Sequence, residues 1–158
     1  MLEHAEIAAL LPHGHPMVLV DRVIRFEIGG SLTALKAVSA GEPCYAGLGK
    51  GLNQAAYAYP LSLLLESFGQ AAALLWLMGQ SAGDRRAGGM LLLGGARKCV
   101  FRGDAYPGDV LRHEVRLVHA TMGTAFVDGE TFVGETPIAS ITSIVAAQRP
   151  RGPIAGRQ

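Results

Sequence analysis

The feature that most restricts how this chain can fold is an apolar stretch at residues 60–78 in which Glu66 is the only charged side chain. Pro60 stands near its start, where a helix has no use for the N–H that proline lacks. The stretch is apolar on nearly every face, and such a helix is wrapped by other elements rather than laid on a surface. It is also about long enough to span a bilayer. However, Ser62, Glu66, Ser67, Gly69 and Gln70 crowd its first half, and a carboxylate in mid-membrane costs roughly 2.5–3.5 kcal/mol or more. The basic flanks are thin, with Lys50 upstream and Arg85-Arg86 downstream. The stretch is therefore predicted to be a buried core helix and not a membrane span.

The remaining segments supply the wrapping. Residues 3–11 have helical spacing through Ile7, Leu10 and Leu11 and stop at Pro12. After the compact run Pro12-His13-Gly14-His15-Pro16, residues 18–26 read as a strand. Gly29-Gly30 marks a turn, and residues 31–38 alternate as a returning strand. Residues 41–59 are loop-like and glycine-rich, and residues 80–89 are a polar loop. Everything beyond reads as β: 90–101, interrupted by Gly94-Gly95, then 110–120, 124–132 and 138–147. An antiparallel sheet curled around one long central helix satisfies this inventory. The fold class is α+β, in a single domain over residues 1–149, with a frayed Pro/Gly/Arg-rich tail at 150–158. Open sheet edges predict a dimer.

Composition narrows the function. With 158 residues, 49% hydrophobic and 17% charged, the chain is long enough for one core and too apolar for disorder. A formal net charge of +1 argues against a broad nucleic-acid surface, and no RRM, KH or zinc-finger spacing is present. Cys44 and Cys99 are far apart and read as buried thiols in a reducing compartment. The opening Met1-Leu2-Glu3-His4-Ala5-Glu6 carries acid where a signal peptide carries base, so a cytoplasmic protein is expected.

A carboxyl in an apolar setting is held toward its neutral form, which suits general acid–base chemistry. Glu66 is thus the leading catalytic candidate, and Gln70, at i+4, shares its helical face and could orient it. Other candidates are weaker. His13 and His15 lack further ligands at metal spacing and read as structural. His113 and His119 lie six apart on one strand, and read as surface or sheet residues. The glycines around Gly47-Leu48-Gly49-Lys50-Gly51 lack the context of a phosphate loop.

Taken together, these motifs resemble the β-hydroxyacyl-acyl-carrier-protein dehydratases of fatty acid synthesis, which have the hotdog fold. The run Leu11-Pro12-His13-Gly14-His15-Pro16-Met17-Val18-Leu19-Val20-Asp21-Arg22-Val23 is similar to that family's opening "LPHRYPFLLVDRV". Glu42-Pro43 resembles the start of its active-site loop, Glu66-Ser67-Phe68-Gly69-Gln70-Ala71-Ala72 its "EALAQAA", and Phe101, Arg102 and Pro107-Gly108-Asp109 its "FKRPVVPGD". The resemblance implies a hotdog domain and a substrate-binding set of Gly47, Leu48, Pro60, Leu61 and Phe101.

The departure falls on the chemistry. The family pairs glutamate with a histidine in its loop "EPFFQGHFPGRPVMPG". Gly47 matches the glycine before that histidine, but Leu48 stands in the histidine's place. The loop is also longer, and Leu61 follows Pro60 where the family has glycine. Leucine can neither remove an α-proton nor deliver one to a departing hydroxyl. A homodimer should be a poor dehydratase unless Tyr57, Tyr59 or a displaced histidine takes over.

In the family each site spans the dimer interface, so a paralogue that retains histidine could complete a site with this chain's Glu66. The expectation is a half-site subunit of a heterodimeric dehydratase in fatty acid or polyene-like polyketide synthesis. Its substrate would ride on an acyl carrier protein docked at Arg97, Lys98 and Arg102. The alternatives are a non-catalytic scaffold for acyl chains or carrier protein, and a thioesterase in which Glu66 activates water. No metal or organic cofactor is implied.

Overall fold

A short helix, α1 (His4–Leu10), opens the chain, and its first turn is tied by the Glu3 backbone N–H donating to the Glu6 carboxylate at 2.9 Å. Pro12 prevents its continuation, and Ile7 from its inner face is wholly buried. Strands β1 (Arg22–Phe26) and β2 (Ser31–Ala37) form a hairpin whose turn uses Gly29 at φ 71°. Two 3-10 turns, Pro43–Tyr45 and Gln54–Tyr57, follow, and then the long helix α2 (Leu61–Gly79). Four long strands complete the domain: β3 (Gly89–Phe101), β4 (Val110–Thr121), β5 (Thr124–Val133) and β6 (Thr136–Pro150). This computed structural model describes residues 1–80, 89–121 and 123–150. The predicted loop at 80–89 and tail at 150–158 fall outside the described residues except at Gln80, Gly89 and Pro150.

All six strands join one antiparallel sheet in the order β1-β2-β4-β5-β6-β3. Helix α2 lies across it, packed on β2, β4, β5 and β6. Phe68, Leu74 and Leu75 of the helix meet Leu32, Val115, Val127 and Ile144 of the sheet in the main core. Eleven of the nineteen α2 residues are buried, nearly all in the C-terminal two thirds. The helix is apolar and long enough to cross a membrane, but the sheet already covers most of its faces. This is the predicted hotdog arrangement, a sheet wrapped around one helix.

The boundaries differ from expectation in two places. Strand β1 begins at Arg22, four residues later than the pattern of 18–26 suggests. Residues 18–21 are spent elsewhere: Leu19 N–H donates to Gln70, and the Asp21 carboxylate accepts from Ala37 N–H at 2.6 Å. Gly94-Gly95 does not split β3, which continues through a register shift between Leu93 and Gly95.

One close approach fixes how the helix sits. Gly129 of β5 lies so near that a Cβ built on it would come within 2.0 Å of the Glu114 carbonyl and 2.9 Å of the Phe68 ring. Only a residue without a side chain fits there. The sheet bulges at this point, between Val127 and Gly129, and the Asp128 carboxylate accepts from the Ser143 N–H at 2.5 Å.

Candidate active site

Helix α2 is not covered equally at both ends. Leu61 and Ser62 are exposed, and Leu65, Glu66 and Gly69 are half-buried along one open face. Glu66 therefore does not lie enclosed in apolar side chains, as its sequence context suggests. Its side chain keeps 30% of its surface in solvent, at the border between core and water. The reason is the helical period: Ser67 and Phe68 face His113 of the sheet, while Glu66 sits on the flank with Gln70 one turn on, under residues 17–19.

The predicted support by Gln70 is present. Gln70 Nε2 donates to Glu66 Oε1 at 2.8 Å and to the Met17 carbonyl at 2.7 Å, and its Oε1 accepts from Leu19 N–H at 2.8 Å. These partners leave one orientation for the amide, because the backbone carbonyl needs a donor and the backbone N–H an acceptor. Gln70 thus holds the carboxylate with one hand and pins residues 17–19 onto the helix with the other.

A few residues before that pinned segment stands a histidine that the sequence pattern reads as structural. His13 Nε2 lies 3.2 Å from Glu66 Oε1, with 31% of the ring side chain exposed. Oε1 therefore meets two nitrogens, whereas Oε2 has no hydrogen-bond partner among the described residues. His13 Nδ1 is buried without a partner. Spacing offers no cue to a contact between residues so far apart in sequence. The one available signal is that His13 belongs to the Leu11–Val23 run, which resembles a family motif.

The loop residues are arranged separately. A buried ion pair joins Lys36 Nζ to Glu42 Oε1 at 2.8 Å, and the Ser39 N–H donates to the same oxygen at 3.0 Å, anchoring the loop start at Glu42-Pro43. Gly47 takes φ 84°, a left-handed turn that suits glycine, and Leu48 follows it on the surface, 40% exposed. Pro60 caps α2, accepting from the N–H groups of Leu63 and Leu64 through its carbonyl. Phe101 packs half-buried in a second core cluster with Leu64, Tyr45 and Tyr59.

Tyr59 is buried in that cluster, and desolvation pushes its phenol well above the ordinary tyrosine range. Tyr45 is raised to about 12 by the same burial, and burial also raises the Cys44 thiol. These groups stay protonated at neutral pH. Tyr57 Oη contacts the Gly49 carbonyl at 3.5 Å. Of Tyr57, Tyr59 and the chain's histidines, it is His13 that contacts Glu66.

His113, read as a surface or sheet residue, lies in the sheet and not on the surface. It is wholly buried, receiving Thr131 Oγ1 at Nδ1 (2.8 Å) and meeting Ser67 Oγ at Nε2 (2.9 Å), with its ring edge-on to Phe68. Ser67 Oγ donates to the Leu64 carbonyl, so His113 holds its proton on Nε2. Burial lowers its pKa to about 3, with a smaller push from Lys36. His119 lies beyond a register shift after Leu117 and is exposed. Cys44 and Cys99 are both half-buried free thiols.

Arg97 and Lys98 are exposed on β3, and Arg102 just beyond it donates to Ser140 Oγ at 3.1 Å. Arg97 and Lys98 are sequence neighbours in a strand and so point to opposite faces of the sheet.

Comparison with known proteins identifies the setting of this site. The FabA-like domain family matches residues 11–142. The 3-hydroxyacyl-acyl-carrier-protein dehydratase FabZ of Alkaliphilus metalliredigens is 32% identical over 149 residues, covering 94% of this chain and 96% of that protein. The enzyme of the same name from Haemophilus influenzae is 33% identical over 150 residues, covering 94% and 95%. Among solved structures, the dehydratase heterocomplex ApeI:P from Xenorhabdus doucetiae superposes with a TM-score of 0.72 at 23% identity, covering 92% of this chain and 91% of that one. The PaaI protein of the Escherichia coli phenylacetic acid degradation operon has the same fold, with a TM-score of 0.57 at 15% identity, covering 79% and 80%.

Proposed function

The chain belongs to the FabA-like family of 3-hydroxyacyl-acyl-carrier-protein dehydratases, and from that premise we infer that it is one half of a two-chain dehydratase. Glu66 serves the site, and the histidine comes from a partner subunit. The observation that carries this reading is the contrast between the two family positions. Glu66 is held ready by Gln70, while the histidine's place is taken by an exposed Leu48.

Water loss from a β-hydroxyacyl thioester takes a proton from the α-carbon and breaks the β-carbon–oxygen bond as the double bond forms. The departing hydroxyl needs a proton of its own. Two groups placed on either side of the substrate divide those tasks. His13 contacts the same oxygen of Glu66 that Gln70 holds, so the two stand on one side and leave the opposite place for a partner's imidazole.

Several features support a second chain. Leu48, Leu52 and Leu61 are large apolar residues left 40–44% exposed around the loop and the start of α2. Strand β3 is a sheet edge with an unpaired side, the kind of edge that pairing with another chain closes. The ApeI:P structure, similar in fold, is a dehydratase heterocomplex by name. Arg97, Lys98 and Arg102 are the proposed contacts for an acidic carrier protein, on a chain that works in the cytoplasm.

The test is to assay β-hydroxyacyl-carrier-protein dehydration by the chain alone and mixed with each histidine-bearing paralogue. The expected result is silence alone and turnover in one mixture. Turnover by the chain alone would overturn the half-site reading. Silence in every mixture would favour a scaffold, and release of free acid by the chain alone would favour a thioesterase.

A further inference from the structure

Glu66 has two oxygens, and the fold treats them differently. Oε1 is met by Gln70 Nε2 at 2.8 Å and His13 Nε2 at 3.2 Å, whereas Oε2 has no partner among the described residues. We propose that His13 is the positioning residue of this site, its ring Nε2 set against Oε1 so that Oε2 is turned toward the substrate. The proposal rests on the reading of Glu66 as the reacting carboxyl and adds the group that aims it.

Three observations converge on this role. First, the ring nitrogen facing Glu66 is a donor only if the proton sits on Nε2, which leaves Nδ1 bare. Nδ1 is buried without an acceptor, and a proton there would be stranded, so burial selects the same tautomer. Second, the chain a few residues after His13 is tied to α2. Gln70 binds it through Met17 and Leu19, with three hydrogen bonds in all from one amide to the segment and to Glu66. The residue that orients the carboxylate therefore also ties down the segment that follows His13. Third, both side chains keep about 30% exposure, so the pair borders the open face of α2 where a substrate can reach it.

A positioning role differs from proton transfer by His13 itself. Glutamine at position 13 can still donate an N–H to Oε1 but cannot cycle a proton near neutral pH. Phenylalanine fills the space and donates nothing.

The first readout needs no partner and no turnover: nitrogen-15 NMR of the histidine rings in the chain alone. In its neutral form the His13 ring is expected as the Nε2–H tautomer, and Glu66→Ala should shift its Nε2 resonance by removing the oxygen it faces. A His13 ring protonated on Nδ1, or one indifferent to Glu66→Ala, would overturn the proposal even if the half-site reading stands. The second readout is kinetic, in the active mixture with the histidine-bearing paralogue. His13→Phe is expected to lower kcat about tenfold or more with KM little changed, and His13→Gln to recover most of it. Equal loss in both variants would overturn positioning and assign His13 a proton-transfer step. If no mixture is active, the half-site reading fails while the NMR result still decides the role of His13.

Discussion

At the scale of single residues, Gln70 is the side chain that links Glu66 to the segment before β1. Its amide joins α2 to the segment before β1, and each of its three partners is matched donor to acceptor. Gln70→Leu would leave the Leu19 N–H and Met17 carbonyl without their partners, a cost of about 1–3 kcal/mol for a buried group so stranded. The expected outcome is a lower urea midpoint with an unchanged denaturant slope, together with loss of dehydration in the mixture. The pairing of Glu66 with Gln70 was legible in the sequence because i and i+4 share a helical face whatever the tertiary fold. The contact with His13 was not. It depends on where a turn rich in proline lands against a helix far along the chain, and no local periodicity encodes that. The depth of Glu66 was also misjudged, since a run of apolar neighbours does not reveal which flank of a helix the sheet leaves open.

At the scale of elements, the register of the strands decides which side chains enter the core. The alternation in β4 puts Leu111, His113 and Val115 on the buried face. The sequence left His113 as a surface or sheet residue, because a polar ring turns inward only where partners such as Ser67 and Thr131 meet it. Its shift has a measurable consequence. The folded chain holds the ring neutral down to a pKa of about 3, while the unfolded chain binds a proton near 6.5. The unfolded state thus holds more protons between those values, so this contribution to stability is full above about pH 6.5 and declines as pH falls toward 3. Urea unfolding at pH 7.5 and pH 5 is expected to show a drop for the native sequence and a smaller one for His113→Leu. The loss of the Thr131 and Ser67 contacts lowers that variant's stability at both pH values. Equal slopes for the two proteins would contradict the assignment. Where β5 crosses α2, Gly129→Ala is expected to destabilise the fold by about 1–3 kcal/mol or more, because backbone at Glu114 must move to admit a methyl group. A denaturation midpoint equal to that of the native sequence would show that the helix and strand can part more easily than their spacing suggests.

At the scale of the whole molecule, the hotdog arrangement was readable from one fact, a helix too apolar to lie on a surface followed by strands enough to enclose it. The sequence could not show how unevenly that enclosure is distributed. The sheet buries the C-terminal two thirds of α2 and leaves the first turns open, next to exposed Leu48, Leu52 and Leu61. A single chain with that distribution leaves the Glu66 end of α2 open with an apolar margin around it, which is the physical basis for expecting a second subunit. The measurement that bears most directly on this is the turnover of the active mixture when Glu66→Gln replaces the native chain, with the mass of the complex followed by light scattering. Glutamine keeps the size of the side chain and removes the carboxyl, so assembly is expected to be unchanged while dehydration falls about a hundredfold or more. A mixture that assembles and keeps full activity without the Glu66 carboxyl would contradict the assignment of this chain as a contributor to the site.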